Sequence, residues 1–175
     1  MKLMFRKALP SDLDAICSIY DAIHGREETG RTTTGWVRSI YPTRTTAQLA
    51  IQSGDLFVLE QQGRVVASAR INQIQGEEYK LANWSFDVDN SKVMVLHTLA
   101  VHPGCFGCGL GSRFVSFYED YAIQQGCTCL RLDTNVRNTA ARALYKKLGY
   151  EERSIVPCVF NGIEGVQLVC MEKLL

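Results

Sequence analysis

The chain has 175 residues, 46% of them hydrophobic and 21% charged, with a formal net charge of +1, the composition of one globular domain able to close a core. A near-neutral balance without blocks of like charge gives no electrostatic reason to expect a nucleic acid or an anionic membrane as partner. No stretch of about 18 apolar residues occurs, which argues against a transmembrane helix. The opening MKLMFRKALPSD meets Arg6 and Lys7 too early for a signal peptide, so the expectation is a soluble, cytoplasmic protein.

Lys2 to Arg6 reads as an edge strand, and Ser11 as the cap of a helix whose apolar residues Leu13, Ile16, Ile19, Tyr20 and Ile23 keep a helical period. The polar GREETGRTTTG links it to a second helix ending near Gln52, with a break or restart at Tyr41-Pro42. DLFVLEQQGRVVASARINQI is a hairpin turning at QQGR. Gly76 to Asn90 is mixed; Tyr79, Trp84 and Phe86 there suit either a core or a pocket wall.

KVMVLHTLAV is β-branched enough for a central strand. GCFGCGLGS follows, then a helix with Leu110, Phe114, Phe117, Tyr118 and Tyr121 on its apolar side, ending at Gly126. CTCLRLDT reads as a buried strand, and NTAARALYKKLG as a short helix with Ala141, Leu144, Tyr145 and Leu148 on one stripe. Two final strands, Glu152–Val159 and Val166–Glu172, are joined by a turn at Asn161-Gly162. The order β-α-α-β-β-β-α-β-α-β-β, with no linker-like stretch in the second half, describes one mixed α/β (α+β) domain over residues 1–175.

Cys17, Cys105, Cys108, Cys127, Cys129, Cys158 and Cys170 are an odd set in a chain without a secretion signal, which speaks against a disulfide framework. Cys105-x-x-Cys108 followed by Cys127-x-Cys129 has part of a zinc-ribbon spacing, but the second pair lies within a strand. Buried free thiols are the better reading, and no metal is expected.

The stretch LHTLAVHPGCFGCGLGSRF carries the chemistry. A strand runs through Gly104, Gly107, Gly109 and Gly111 straight into a helix. Such a turn lets backbone N–H groups surround an anion, and the helix start adds free donors and a positive dipole end. A P-loop would need Lys before Ser or Thr after the last glycine, where Ser112-Arg113 stands. A dinucleotide fold would place the motif earlier, with a second mononucleotide half behind it.

At this stretch the sequence resembles the GNAT family of N-acetyltransferases. The family's pyrophosphate loop, Gln/Arg-x-x-Gly-x-Gly/Ala, corresponds to Phe106-Gly107-Cys108-Gly109-Leu110-Gly111, with Phe106 in place of the polar residue. Asn138, Ala141, Tyr145 and Leu148-Gly149-Tyr150 are similar to the N-x-x-A-x-x-x-Y-x-x-x-G-F/Y signature. The resemblance implies a central mixed, mostly antiparallel twisted sheet of about seven strands flanked by about four helices. It also implies acetyl-CoA as co-substrate. The backbone of Leu99, Ala100 and Val101 would pair with the pantetheine arm, Gly107 to Ser112 would hold the pyrophosphate, Asn138 would touch the pantetheine, and Tyr145 would stand near the sulfur as general acid.

Two residues compete for general base. His97 lies where arylalkylamine acetyltransferases of the family have a histidine acting through water, and its unperturbed pKa suits the task. Asp133 lies where ribosomal-protein acetyltransferases of the family have a catalytic glutamate. His97 is the first expectation, Asp133 the second, water alone the third; His102 reads as loop. Trp36, Tyr41, Trp84 and Phe86 are candidates for an acceptor pocket, and Glu27, Glu28 and Glu77 for attracting a cation. The expected acceptor is a small-molecule amine. A peptide α-amine or protein lysine is the alternative, a non-catalytic CoA-binding module the third, and a homodimer is compatible with the sequence.

Overall fold

The computed structural model describes residues 3–175; Lys2, expected to open the first strand, lies outside them. Strand β1 (Leu3–Lys7) leads through a 3-10 turn at Pro10–Asp12 into α1 (Leu13–Glu28), followed by α2 (Arg44–Gln52), β2 (Leu56–Gln61) and β3 (Arg64–Asn72). Then come β4 (Val93–Val101), α3 (Leu110–Gln124), β5 (Cys129–Asn135), α4 (Thr139–Lys147), β6 (Glu151–Phe160) and β7 (Ile163–Leu174). The expected element order is the observed one. One detail differs: Ser11 sits inside the 3-10 turn rather than capping α1. Its neighbour Asp12 precedes the helix, held by Arg6 (2.6 Å) and by the N–H of Leu9 (2.7 Å).

The seven strands form one sheet in the order β1-β2-β3-β4-β5-β7-β6. Every neighbouring pair is antiparallel except β4 with β5. That parallel pairing runs only from Val93 opposite Cys129 to Leu96 opposite Leu132. Beyond it, β4 continues to Val101 bonded to β3, and β5 continues to Asn135 bonded to β7. The sheet therefore splits into a wedge at the carboxyl ends of its two central strands. The buried Tyr118 hydroxyl lies at the root of the parallel pair, 2.7 Å from the Met94 carbonyl and 3.1 Å from that of Arg131, tying both strands to α3.

One face of the sheet packs under α3 and α4 through Phe114, Tyr118, Leu130, Leu132 and Met171. The other is covered by α1 and α2, through Ile16, Ile19, Ile23 and Ala47, and by the segment around Tyr79 packing on Val93, Val95 and Leu168. Because both faces are covered, residues 93–96 of β4 form a continuous apolar run rather than an alternating one. Of the seven thiols, all free, only Cys127, Cys129 and Cys170 are buried; Cys108 is exposed and the rest are intermediate, so the expectation of buried thiols holds for three. The pairs Cys105/Cys108 and Cys127/Cys129 lie at opposite ends of β4. Its nine residues span about 26 Å at strand rise, so the pairs cannot share one metal ion.

No helix among the described residues is long and apolar enough to cross a membrane.

Candidate active site

The wedge is shaped by an irregularity in β4. Ser68 opposes Ala100 and Arg70 opposes His97, so one extra residue is inserted in β4 around Thr98 and Leu99. Thr98 takes the left-handed conformation (φ +53°), a strained choice for a β-branched side chain. The insertion reverses the side-chain alternation: Met94 and Leu96 join the α3 face before it, Leu99 and Val101 after it, while Ala100 turns to α1. His97, Thr98 and Leu99 thus all border one cavity. The Thr98 hydroxyl is hydrogen-bonded to that of Tyr41.

This cavity, about 610 Å³, lies in the mouth of the wedge. His97, Leu99, Asp133, Asn138, Ala141 and Tyr145, named separately from the sequence, meet on its wall. Trp36 and Tyr41 from the α1–α2 connection and Phe160 from the β6–β7 hairpin close it. Trp84 and Phe86 do not belong to it. They are half-buried against the core cluster around Tyr79, with Arg131 over the Trp84 ring (4.2 Å) and Arg153 over that of Phe86 (5.1 Å).

Phe106 to Ser112 lie outside the cavity wall, with Phe106 to Gly109 exposed at the surface. Cys105-Phe106-Gly107-Cys108 is a type II turn: Phe106 has φ −62°, ψ 143°, Gly107 has φ +79°, and the Cys108 N–H reaches the Cys105 carbonyl at 3.3 Å. Gly109, also left-handed (φ +73°), precedes α3, whose first intrahelical bond is donated by Arg113 to Gly109. The N–H groups of Leu110, Gly111 and Ser112 are therefore left as donors at the positive end of a 15-residue helix. Leu110 is core, so it offers its backbone only. A Cβ on Gly111 would stand 3.2 Å from Leu144, so that glycine lets α3 and α4 approach. His102, as expected of a loop residue, caps the turn by accepting the Gly104 N–H at Nδ1 (3.1 Å).

A model described as the acetyltransferase (GNAT) family matches residues 17–150. The chain belongs to this family. The uncharacterized N-acetyltransferase YhfO of Bacillus subtilis is 42% identical over 65 residues, 37% of this chain and 44% of YhfO, so the chain spans less than half of that relative's length. A GNAT-family acetyltransferase from Streptococcus agalactiae superposes with a TM-score of 0.80 at 23% identity, covering 99% of this chain and 95% of that one. The Salmonella typhimurium protein yncA, solved with its cofactor acetyl-CoA, superposes with a TM-score of 0.72 at 20% identity, covering 99% and 94%. These two likenesses show the fold.

The electrostatics of this GNAT site separate the two candidate bases. The ring of His97 hydrogen-bonds through Nε2 to Asn72 Oδ1 (3.0 Å), whose amide nitrogen donates to Asp55 (2.7 Å); Asp55 also holds Arg70. Burial, and then the charge of Arg70, push His97 down to about 4, so it is neutral and weakly basic at pH 7. Asp133 accepts a hydrogen bond from the Tyr79 hydroxyl (2.6 Å). Burial raises it to about 7; the Tyr79 bond opposes the rise and the Glu78 carboxylate adds to it. A base is most useful with a pKa near the working pH, a condition that Asp133 meets more nearly than His97.

Tyr145 is buried under Tyr150 (5.9 Å, edge-on), and no hydrogen bond is made by its hydroxyl among the described residues. Burial and then the charge of Asp133 raise its pKa, so it keeps its proton. Asn138 caps α4 by accepting the Ala141 N–H at 3.3 Å, leaving its side-chain NH₂ for a ligand.

The acids chosen from the sequence are occupied elsewhere. Glu27 holds the Thr34 and Gly35 N–H groups at the cavity rim (2.8 and 2.9 Å), Glu28 pairs with Arg38 (2.7 Å), and Glu77 pairs with Lys80 (2.6 Å). Glu78, one residue on, borders the cavity, and no ion pair to its carboxylate forms among the described residues. Nothing in the order Glu77-Glu78 tells which of the two turns inward; that depends on the 3-10 turn at Glu77–Leu81.

Proposed function

We propose that this GNAT protein, acting as a single domain over residues 1–175, transfers an acetyl group from acetyl-CoA to the primary amine of a small molecule. The observation that carries the reading is the wedge between β4 and β5, whose cavity holds a titratable carboxyl and a phenol, while the free backbone donors at the start of α3 follow β4 in the chain. The fit to acetyl-CoA rests on three features. The donors of Leu110 to Ser112 suit a diphosphate, the unpaired edge of β4 beyond Leu96 suits the amide groups of a pantetheine arm, and Asn138 borders the same channel.

When bound, acetyl-CoA supplies the activated acyl carbonyl. Glu78 and Asp133 give the cavity a negative wall that draws the acceptor in as its ammonium ion. Asp133, ionised above about pH 7, takes the ammonium proton, directly or through water, and frees the nucleophilic lone pair. Tyr145, protonated at neutral pH, gives its hydroxyl proton to the sulfur as the C–S bond breaks. The second proton shed by the amine nitrogen as the amide forms restores the phenol through water. His97 orients the bulge by its bond to Asn72 and stays neutral throughout.

A small acceptor is favoured over a peptide because Trp36, Tyr41 and Phe160 close the cavity from two sides. The test is a screen of thiol release from acetyl-CoA, with small primary amines in one panel and peptides bearing free α-amines or lysines in the other. Turnover in the first panel is expected. Turnover confined to the second would replace the acceptor, and acetyl-CoA binding without any turnover would leave a binding module.

A further inference from the structure

The family motif has a polar side chain where this chain has Phe106, and the structure offers another source for that missing polarity. Phe106 leaves its ring 46% exposed on the type II turn. Over that ring, 5.3 Å from its centroid to Cζ, lies the guanidinium of Arg26, from the last turn of α1. We infer that Arg26 is a phosphate-binding residue of the acetyl-CoA site, held against the turn by the Phe106 ring; the inference rests on the acetyl-CoA reading above.

Three observations support it. First, Arg26 is half-buried and lacks a counterion. The other arginines that are not exposed, Arg6, Arg70, Arg131, Arg142 and Arg153, each engage a carboxylate, whereas no ion pair of Arg26 forms among the described residues. Its Nε is buried without a hydrogen-bond partner. Withdrawing part of a guanidinium from water without an anion is unfavourable, and a bound phosphate would reverse that cost.

Second, the geometry suits an anion. Stacking on an aromatic face fixes the guanidinium plane while leaving the N–H groups on its rim free to donate. The turn beneath carries left-handed Gly107 and Gly109 and leads into the free N–H groups of Leu110, Gly111 and Ser112. A diphosphate there would meet backbone dipoles from α3 and a full positive charge from α1. Third, a role confined to the carboxyl end of α1 would need only an exposed cation there, and would leave both the ring and the buried Nε unaccounted for.

The experiment compares two probes that divide the ligand. 3′-Phosphoadenosine 5′-diphosphate carries the phosphates without the thioester arm, and S-acetylpantetheine carries the arm without phosphates. Binding of acetyl-CoA to the wild-type protein by calorimetry establishes the underlying reading; its absence defeats that reading and the inference with it. With binding established, Arg26→Ala weakens acetyl-CoA and the nucleotide probe by about tenfold or more, as expected for a charge-assisted contact. S-acetylpantetheine, followed by ligand-observed NMR, changes by less than about twofold.

Circular dichroism checks that the variant is folded, and Arg26→Gln, which keeps the packed stem, repeats the measurement. Adding Phe106→Arg to Arg26→Ala returns a cation to the turn and recovers nucleotide affinity. A loss on the nucleotide probe smaller than about tenfold, or an equal loss on both probes, overturns the assignment.

Discussion

The two sides of the wedge are built on different principles. The side proposed for the cofactor is mostly one continuous length of chain, from β4 through the glycine turn and α3 to α4, joined by Arg26 from α1, and it relies largely on backbone groups whose direction the fold dictates. The acceptor side is assembled from Tyr41, Glu78, Asp133 and Phe160, drawn from four separate stretches of chain, and it works through side-chain chemistry that burial adjusts. The first is sensitive to geometry, and at Phe106 it accommodates a changed side chain that Arg26 offsets from another element. The second has the opposite sensitivity. Mutations that separate acyl-donor binding from turnover are the way to test that contrast.

The largest effect is expected at Asp133. Asp133→Asn should lower turnover by about 100- to 10,000-fold with acetyl-CoA affinity kept. The sign of the pH dependence follows from a carboxyl raised to about 7 that must be ionised to act: the wild-type rate climbs as pH rises through that value and then levels. Asn removes the climb. An unchanged profile in that variant would return the role to solvent.

Next comes Tyr145→Phe, with turnover down about 10- to 1,000-fold and calorimetric acetyl-CoA affinity largely intact. Full activity at every pH would take the phenol out of the reaction. Glu78→Gln should be milder, raising the acceptor KM by about threefold to tenfold. It should also move the rising limb to lower pH, since Glu78 contributes to holding Asp133 up. A limb that stays in place would uncouple the two carboxyls. The smallest effect is assigned to His97→Asn. With His97 pushed down to about 4, its removal leaves the limb near neutrality where it was. A limb that vanished with His97 would make the histidine the base after all.

The same contrast decides what the sequence discloses. Left-handed Gly107 and Gly109, the apolar run at residues 93–96 of β4 and the stripe ending at Gly149 are local properties, so the fold and the phosphate turn are legible from neighbouring letters. Four features are not. Thr98 is the residue inserted in β4, yet threonine in LHTLAV signals an ordinary strand, and the reversal of facing shows only against β3. Glu78 rather than Glu77 faces the cavity because a 3-10 turn selects it. His97 looked better poised than Asp133 because unperturbed pKa values favour histidine; burial acts on both, and it lowers one group while raising the other. Arg26 and Phe106 stand 80 positions apart, and neither carries a local sign of the other.

The bent conformation of Thr98 also bears on how this molecule would respond to selection for heat resistance. Glycine adopts that backbone state without steric penalty, so a screen for hardier variants would be drawn to Thr98→Gly. The same exchange would cut the hydroxyl latch to Tyr41 and unfasten one side chain of the cavity wall. Robustness and substrate grip are thus set against each other at a single position.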